Sequence, residues 1–404
     1  MAKKAEDPNQ KQSFPRELLD QSPSERLAYF KSYTVAHPFL QRASQEIWDA
    51  LQEPGGALMI FIVGPTGVGK TTLWEHIDQR LTEASQTRML QDPDHMPVIN
   101  LYAMAPSSRQ FRWPDFYTRA LMAVSEPLID YKVDSQAIIP IYNEKLRRHV
   151  PPQLVGDAAM LQRSWEQVLR YRKPNAIFVD EAQHLAKTSG GSRLIDQLDH
   201  VKSLAVATQT MHVLAGTYEL LVFRNLNAQL SRRSIDVHLP RYRAEVKDER
   251  LAFQNVLLTF QRQLPLEDAP DLIHQWKICY TRTVGCVGLL KNWLTKALRE
   301  AVESGEKTIS PALLLKHAAS ADRCDQYITD IEEGERSLNA DPRATERLME
   351  RLGLNTRTRR TKESLPEDEE DEEPPKKKTS SPRRRVGQRN PTRDEVKKEA
   401  TGDE

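Results

Sequence analysis

Gly64-Pro65-Thr66-Gly67-Val68-Gly69-Lys70-Thr71 fills every position of the pattern G-x-x-x-x-G-K-[ST]. The stretch follows an apolar run, Ala57 to Val63, and precedes Thr72-Leu73-Trp74-Glu75-His76-Ile77, whose spacing is helical. A strand before and a helix after are what this pattern needs when it acts as a phosphate-binding loop. Glycines let such a loop wrap with its amide hydrogens pointing inward. Lys70 then reaches the β- and γ-phosphates and the Thr71 hydroxyl coordinates magnesium. Gly64, Pro65, Thr66, Gly67, Val68, Gly69, Lys70, Thr71 and Thr72 are therefore expected to hold a nucleoside triphosphate with Mg2+. The loop by itself does not separate a kinase, a GTPase, a motor or a switch.

A second stretch narrows the reading. Asn175-Ala176-Ile177-Phe178-Val179-Asp180-Glu181-Ala182-Gln183-His184-Leu185 is a short apolar strand ending in two adjacent carboxylates. Asp180 is the expected holder of the magnesium shell and Glu181 of the attacking water, which favours hydrolysis of ATP. No guanine-specific Asn-Lys-x-Asp motif occurs in the chain. A small-molecule kinase would leave the Asp180-Glu181 pair and the long helical C-terminal region unexplained.

With 404 residues, 39% of them hydrophobic, the chain can hold two or three folded units with an ordinary core. Its three cysteines, Cys279, Cys286 and Cys324, form no C-x-x-C pair and read as thiols of a reducing compartment. The opening residues lack an apolar signal core and the longest apolar run is far too short to span a bilayer, so the expectation is a cytoplasmic protein with no membrane partner. Net charge is only +1, so any nucleic-acid surface has to be a local patch.

Periodicity and composition divide the chain into a helical N-terminal extension (1–50), an α/β nucleotide-binding domain (51–243), a helical lid (244–320), a helical extension (321–354) and a disordered charged tail (355–404). Strands are expected at 57–63, 98–102, 175–180, 211–216 and 235–239, with helices to about Ala84 and over 110–125, 156–172 and 192–207. Five strands alternating with helices imply a parallel sheet covered on both faces. In the tail, Glu367 to Glu373 are all acidic and Lys376-Lys377-Lys378 and Arg383-Arg384-Arg385 follow, blocks that bury no core.

Taken in order, the phosphate loop (Walker A), the strand ending Asp180-Glu181 (Walker B), Thr217 at the end of the next strand, the pair Arg232-Arg233 and a helical lid resemble the arrangement of AAA+ ATPases. The Gly-Pro-Thr loop opening, His37-Pro38 upstream, the Asp-Glu-Ala-Gln-His string and the Leu-Ala-Gly-Thr-Tyr-Glu string resemble, more narrowly, the TnsC/TniB transposition regulators, relatives of MuB and IstB. The likeness covers roughly residues 30 to 320. It implies an ATP-dependent homo-oligomer, ring or filament, on duplex DNA that links a target selector of the TniQ/TnsD type to the transposase, with hydrolysis driving disassembly. It also implies that Thr217 acts as sensor 1 and that Arg232 or Arg233 is the finger reaching a neighbouring subunit's nucleotide. A sensor 2 arginine would fall near Gly288 in Gly285-Cys286-Val287-Gly288-Leu289-Leu290-Lys291, where Lys291 is the nearest cation.

DNA contact is expected from the stretch between the two nucleotide motifs. Arg109, Arg112 and Arg119 are interleaved there with Phe111, Trp113, Phe116 and Tyr117, and Lys145, Arg147 and Arg148 follow. Phosphate contacts without base readout would make binding sequence-tolerant and salt-sensitive. An amphipathic helix that buries its aromatics and leaves arginines in water accounts for the same pattern. The tail is expected to dock transposase or DNA by charge, or to act only as a solubilising segment. A signalling or scaffolding AAA+/STAND-like switch that binds proteins and no DNA is the competing reading of the whole chain.

Overall fold

The structure is a computed structural model that describes residues 13–106, 110–125, 141–143, 148–150, 158–187, 191–226, 233–338 and 343–354, with the backbone alone at 141–143, 148–150, 191–193, 198, 224–226 and 344. Two compact units divide the chain, Met1–Asp341 and Pro342–Glu404. The first opens with helices α1 (Pro23–Ser32) and α2 (Pro38–Gln52). It continues through β1 (Met59–Val63), α3 (Lys70–Gln91), β2 (Val98–Tyr102), α4 (Trp113–Ala123), β3 (Ile141–Asn143), β4 (Arg148–Val150), α5 (Ala158–Arg172) and β5 (Ala176–Asp180). Then come α6 (Gly191–Thr208), β6 (Met211–Gly216), α7 (Leu221–Leu226) and β7 (Ser234–His238), followed by helices α8 (Lys247–Gln263), α9 (Trp276–Thr283), α10 (Val287–Glu303), α11 (Pro311–Lys316) and α12 (Ala321–Leu338). The second unit contributes α13 (Ala344–Arg351), and the charged tail lies outside the described residues.

Strands β2, β5, β6, β1 and β7 lie side by side in that order, every pair parallel, as the α/β P-loop fold requires. Every residue of β1 is buried, because side chains alternate between two covered faces. Met59, Phe61 and Val63 join a core with Phe116, Tyr117 and Trp165, while Ile60 and Ile62 join Ile47, Leu73 and Ile77 on the other face. Within the second core Trp74 stacks flat on Phe178 at 4.5 Å, a geometry worth about 1 kcal/mol beyond area burial.

The helices after β7 are held by a third core of Phe253, Leu257, Phe260, Leu290 and Leu294 that also takes Phe30 from α1. The two N-terminal helices thus serve different cores, since α2 buries Leu40, Ala43 and Ile47 against the sheet. Helix α1 starts where Ser22 and Glu25 form a reciprocal capping box with Pro23 next.

Two segments depart from the sequence reading. Helix α3 runs past Ala84 to Gln91, because nothing between 85 and 91 breaks it until Asp92-Pro93. The segment between α4 and α5, where no strand is expected, contains an antiparallel pair, Ile141–Asn143 with Arg148–Val150. Its Ile141, Tyr142 and Val150 are residue types that favour strands.

Candidate active site

All five strands are parallel, so their carboxyl ends share one edge, where open α/β sheets bind ligands. At that edge β1 turns into the phosphate loop. Gly67 and Gly69 take left-handed conformations, φ 74° and 114°, that side-chain-bearing residues rarely adopt. Gly69 is the N-cap of α3, which has neither a capping side chain nor an acid in its first turn. Its first amides are therefore left for an anion.

Lys70 is 8% exposed, and its Nζ donates to the carbonyl oxygens of Gly64 at 2.9 Å and Pro65 at 3.0 Å. Burial lowers the pKa of this ammonium, and Glu181 and Asp180 pull it back up. A buried cation held only by carbonyls inside a glycine loop fits a phosphate ligand. Thr71 Oγ1 donates to Asp180 Oδ2 at 2.8 Å, which brings a hydroxyl and a carboxylate to one point. Two hard oxygens suit magnesium, which takes few protein ligands. Among the described residues no group of three or more His, Cys, Asp or Glu is placed to hold another metal.

Beyond Asp180 the backbone turns sharply. Glu181 is left-handed at φ 53° and ψ 34°, a conformation that costs a residue other than glycine about 1 kcal/mol or more and is a feature of functional sites. Its amide donates to Asp180 Oδ1 at 2.9 Å. On the neighbouring strand Thr217 follows Gly216, and its Oγ1 is buried without a hydrogen-bond partner. An orphaned hydroxyl facing this edge suits a ligand oxygen. Beside Pro65, Thr66 and Thr217 opens a cavity of about 500 Å³ closed by α12 through Tyr327, Ile331 and Gly334. A side chain at Gly334 would overlap the Tyr218 ring, and Glu335 of α12 pairs with the buried Arg241 at 3.2 Å.

Helix α10 meets the phosphate loop. Leu289 N donates to Gly67 O at 3.0 Å, and a Cβ on Gly288 would overlap that same carbonyl. Backbone approach this close excludes any side chain at position 288, including the sensor 2 arginine suggested by resemblance. Lys291 is half-buried; burial lowers the pKa of its ammonium, and the Glu75 carboxylate of α3 pulls it back up.

Of the finger candidates, Arg232 lies outside the described residues. Arg233 is exposed, and its carbonyl accepts from Leu58 and Met59 at the start of β1. With Ser234 opposite Met59 and His238 opposite Val63, Arg233 sits one strand length, about 16 Å, from its own phosphate loop.

Arg109, Lys145 and Arg147 lie outside the described residues, and Arg148 is described by its backbone on β4. Arg112 is exposed before α4, and Arg119 is bound to Asp115 at 3.0 Å. Phe111, Trp113, Phe116 and Tyr117 pack on one another in the core and are not stacking platforms for bases. Gln183 and Gly216 also belong to this edge. The Asp-Glu-Ala-Gln-His string contained the signal for Gln183, a polar residue two positions beyond the paired acids.

Residues 52–222 match the AAA domain family. The ORC2 protein of Aeropyrum pernix in its ADP form is 15% identical, with 72% of this chain and 71% of that one covered and a TM-score of 0.45. The Walker-type ATPase paby2304 of Pyrococcus abyssi is 16% identical over 78% of this chain and 76% of that one, at 0.40. The RuvB Holliday junction branch migration motor of Thermotoga maritima is 11% identical over 69% and 67%, at 0.36. A search of curated proteins gives no match. No described helix is long and apolar enough to cross a membrane.

Proposed function

We propose that the chain, whose residues 52–222 match the AAA domain family, is an ATP-dependent transposition regulator that assembles on duplex target DNA, links a target selector to the transposase, and is released by hydrolysis. The observation that carries the ATPase step is the convergence of Lys70, Thr71, Asp180, Glu181 and Thr217 on one edge of the sheet. In this reading Lys70 binds the terminal phosphates and Glu181 orients and deprotonates the attacking water. Thr217 Oγ1 contacts the γ-phosphate or that water. Thr71 and Asp180 hold magnesium, which when bound supplies positive charge to the phosphate oxygens.

Arg233 is too far from its own loop to act in cis, which supports a finger presented to a neighbouring copy and ties turnover to assembly. The transposition role itself rests on the motif resemblance. Duplex DNA would be held through phosphates by Arg112, Arg119 and the basic residues around β4, with the tail engaging transposase. A switch that binds proteins and no DNA is favoured by one observation, that Arg119 already has a partner in Asp115.

Sedimentation and negative-stain imaging with a non-hydrolysable ATP analogue or ADP, with and without random-sequence duplex, test the proposal. Rings or filaments on DNA only in the ATP-like state are the expected result. Assembly without DNA, and no DNA shift at low salt, would replace the regulator with the protein-binding switch.

A further inference from the structure

The carboxylate of Glu181 is not free at the end of its strand. One of its oxygens accepts from Gln183 Nε2 at 2.5 Å. The other end of the same amide, Gln183 Oε1, accepts the backbone N–H of Thr217 at 3.3 Å. Gln183 is 5% exposed and sits in the 3-10 turn Ala182–Ala186 that follows the paired acids. Its two partners fix the sense of the amide. A carboxylate only accepts and a backbone N–H only donates, so a reversed amide would meet both with the wrong group. The bridge also needs space on β6. A Cβ at Gly216 would overlap Gln183 Oε1, so the residue before Thr217 is the one type that leaves the amide room.

We propose that Gln183 is a positioning residue that ties the Glu181 carboxylate to the end of β6 at Thr217, so that the group assigned to water and the group assigned to the γ-phosphate keep one fixed relation. The proposal rests on the roles given above to Glu181 and Thr217. Gln183 touches neither reactant and acts through both of those residues. A hydrogen bond to a carboxylate is among the stronger ones available, and here its donor is buried. Without it the Glu181 side chain regains rotamers that point away from the water. The expected loss is about ten- to hundredfold in kcat with KM for ATP nearly unchanged.

The test uses the full chain, first without nucleotide. In the Gln183 background, Glu181→Ala is expected to move the Thr217 backbone amide resonance. In the Gln183→Leu background it leaves that resonance where it is. Gly216→Ala, which keeps the glutamine but displaces its oxygen, gives the same kcat loss as Gln183→Leu, and the two losses do not multiply when combined. Should Gln183→Leu fail to fold, Gly216→Ala alone carries the comparison. An equal Thr217 shift in both backgrounds, or losses that multiply, overturns the bridge. Wild-type turnover in Glu181→Gln would instead strike the base role on which the proposal rests, a result distinguishable because it is read without Gln183 being altered.

Discussion

The two ends of the same five-stranded sheet are built on opposite rules. At the carboxyl end, Lys70, Thr71, Asp180, Glu181 and Thr217 crowd together with a left-handed Glu181, a buried ammonium and an unpartnered hydroxyl. At the amino end, His212 is buried in register with Met59 and Ile177, Thr210 is buried beside it, and Arg233 points into solvent. The carboxyl end gathers its polar groups around an open ligand edge, whereas the amino end buries Thr210 and His212 and exposes Asn175, Gln209 and Arg233. Because the strands are parallel, a single topology separates the ligand edge from the supporting edge.

Replacing Lys70 sharpens that contrast most. Lys70→Ala is expected to weaken nucleotide binding by about a hundredfold or more, since charge-assisted bonds to phosphate are lost. The fold should survive, because the ammonium bonds only loop carbonyls. Titration with a fluorescent ATP analogue beside a thermal melt checks both halves, and unchanged affinity would remove the phosphate role. Glu181→Gln should keep binding while phosphate release slows by about a thousandfold. It would leave the protein in its assembled form, and turnover at the wild-type rate would count against a water-activating carboxylate.

Arg233→Ala addresses the amino end. A loss of about a hundredfold in hydrolysis is expected in assembled protein, with dilute, unassembled chain unaffected. A similar defect in dilute protein would mean that the arginine supports its own subunit, and the contrast between the two ends would lose its functional content.

How far these ends could be read in advance depended on whether a feature is local. The strands at 59–63, 98–102, 176–180 and 211–216 stand out as short apolar runs bounded by polar residues, and the phosphate loop carries its own spacing. Bringing Thr71 to Asp180 was also legible, since the two motifs imply neighbouring strand ends. Gln183 and Gly216 matter only because β5 and β6 are paired, a contact between residues far apart in sequence. Gly334 reads as a weak point in a helix until the Tyr218 ring is found against it. Gly288 is similar: the missing arginine is visible in the sequence, but its cause, the approach of α10 to Gly67, is not.

The smallest expected effect tests whether the amino end is as inert as it looks. His212 Nδ1 lies 2.9 Å from Thr210 O and must donate there, because a carbonyl only accepts. Its Nε2 is buried with no partner, and burial pushes its pKa down to about 4. In the unfolded chain the imidazole takes a proton below about 6.5. Between those values the unfolded state binds more protons, so stability is fully present above about pH 6.5 and falls as the pH drops toward 4. His37 and His238, both also lowered to about 4 by burial, act in the same direction. For His212 the loss by pH 5 is on the order of 2 kcal/mol. Urea unfolding at pH 7 and pH 5 should therefore show a smaller acid penalty in His212→Gln than in the wild type. An identical penalty would mean that this end of the sheet admits the proton, and with it water, without opening.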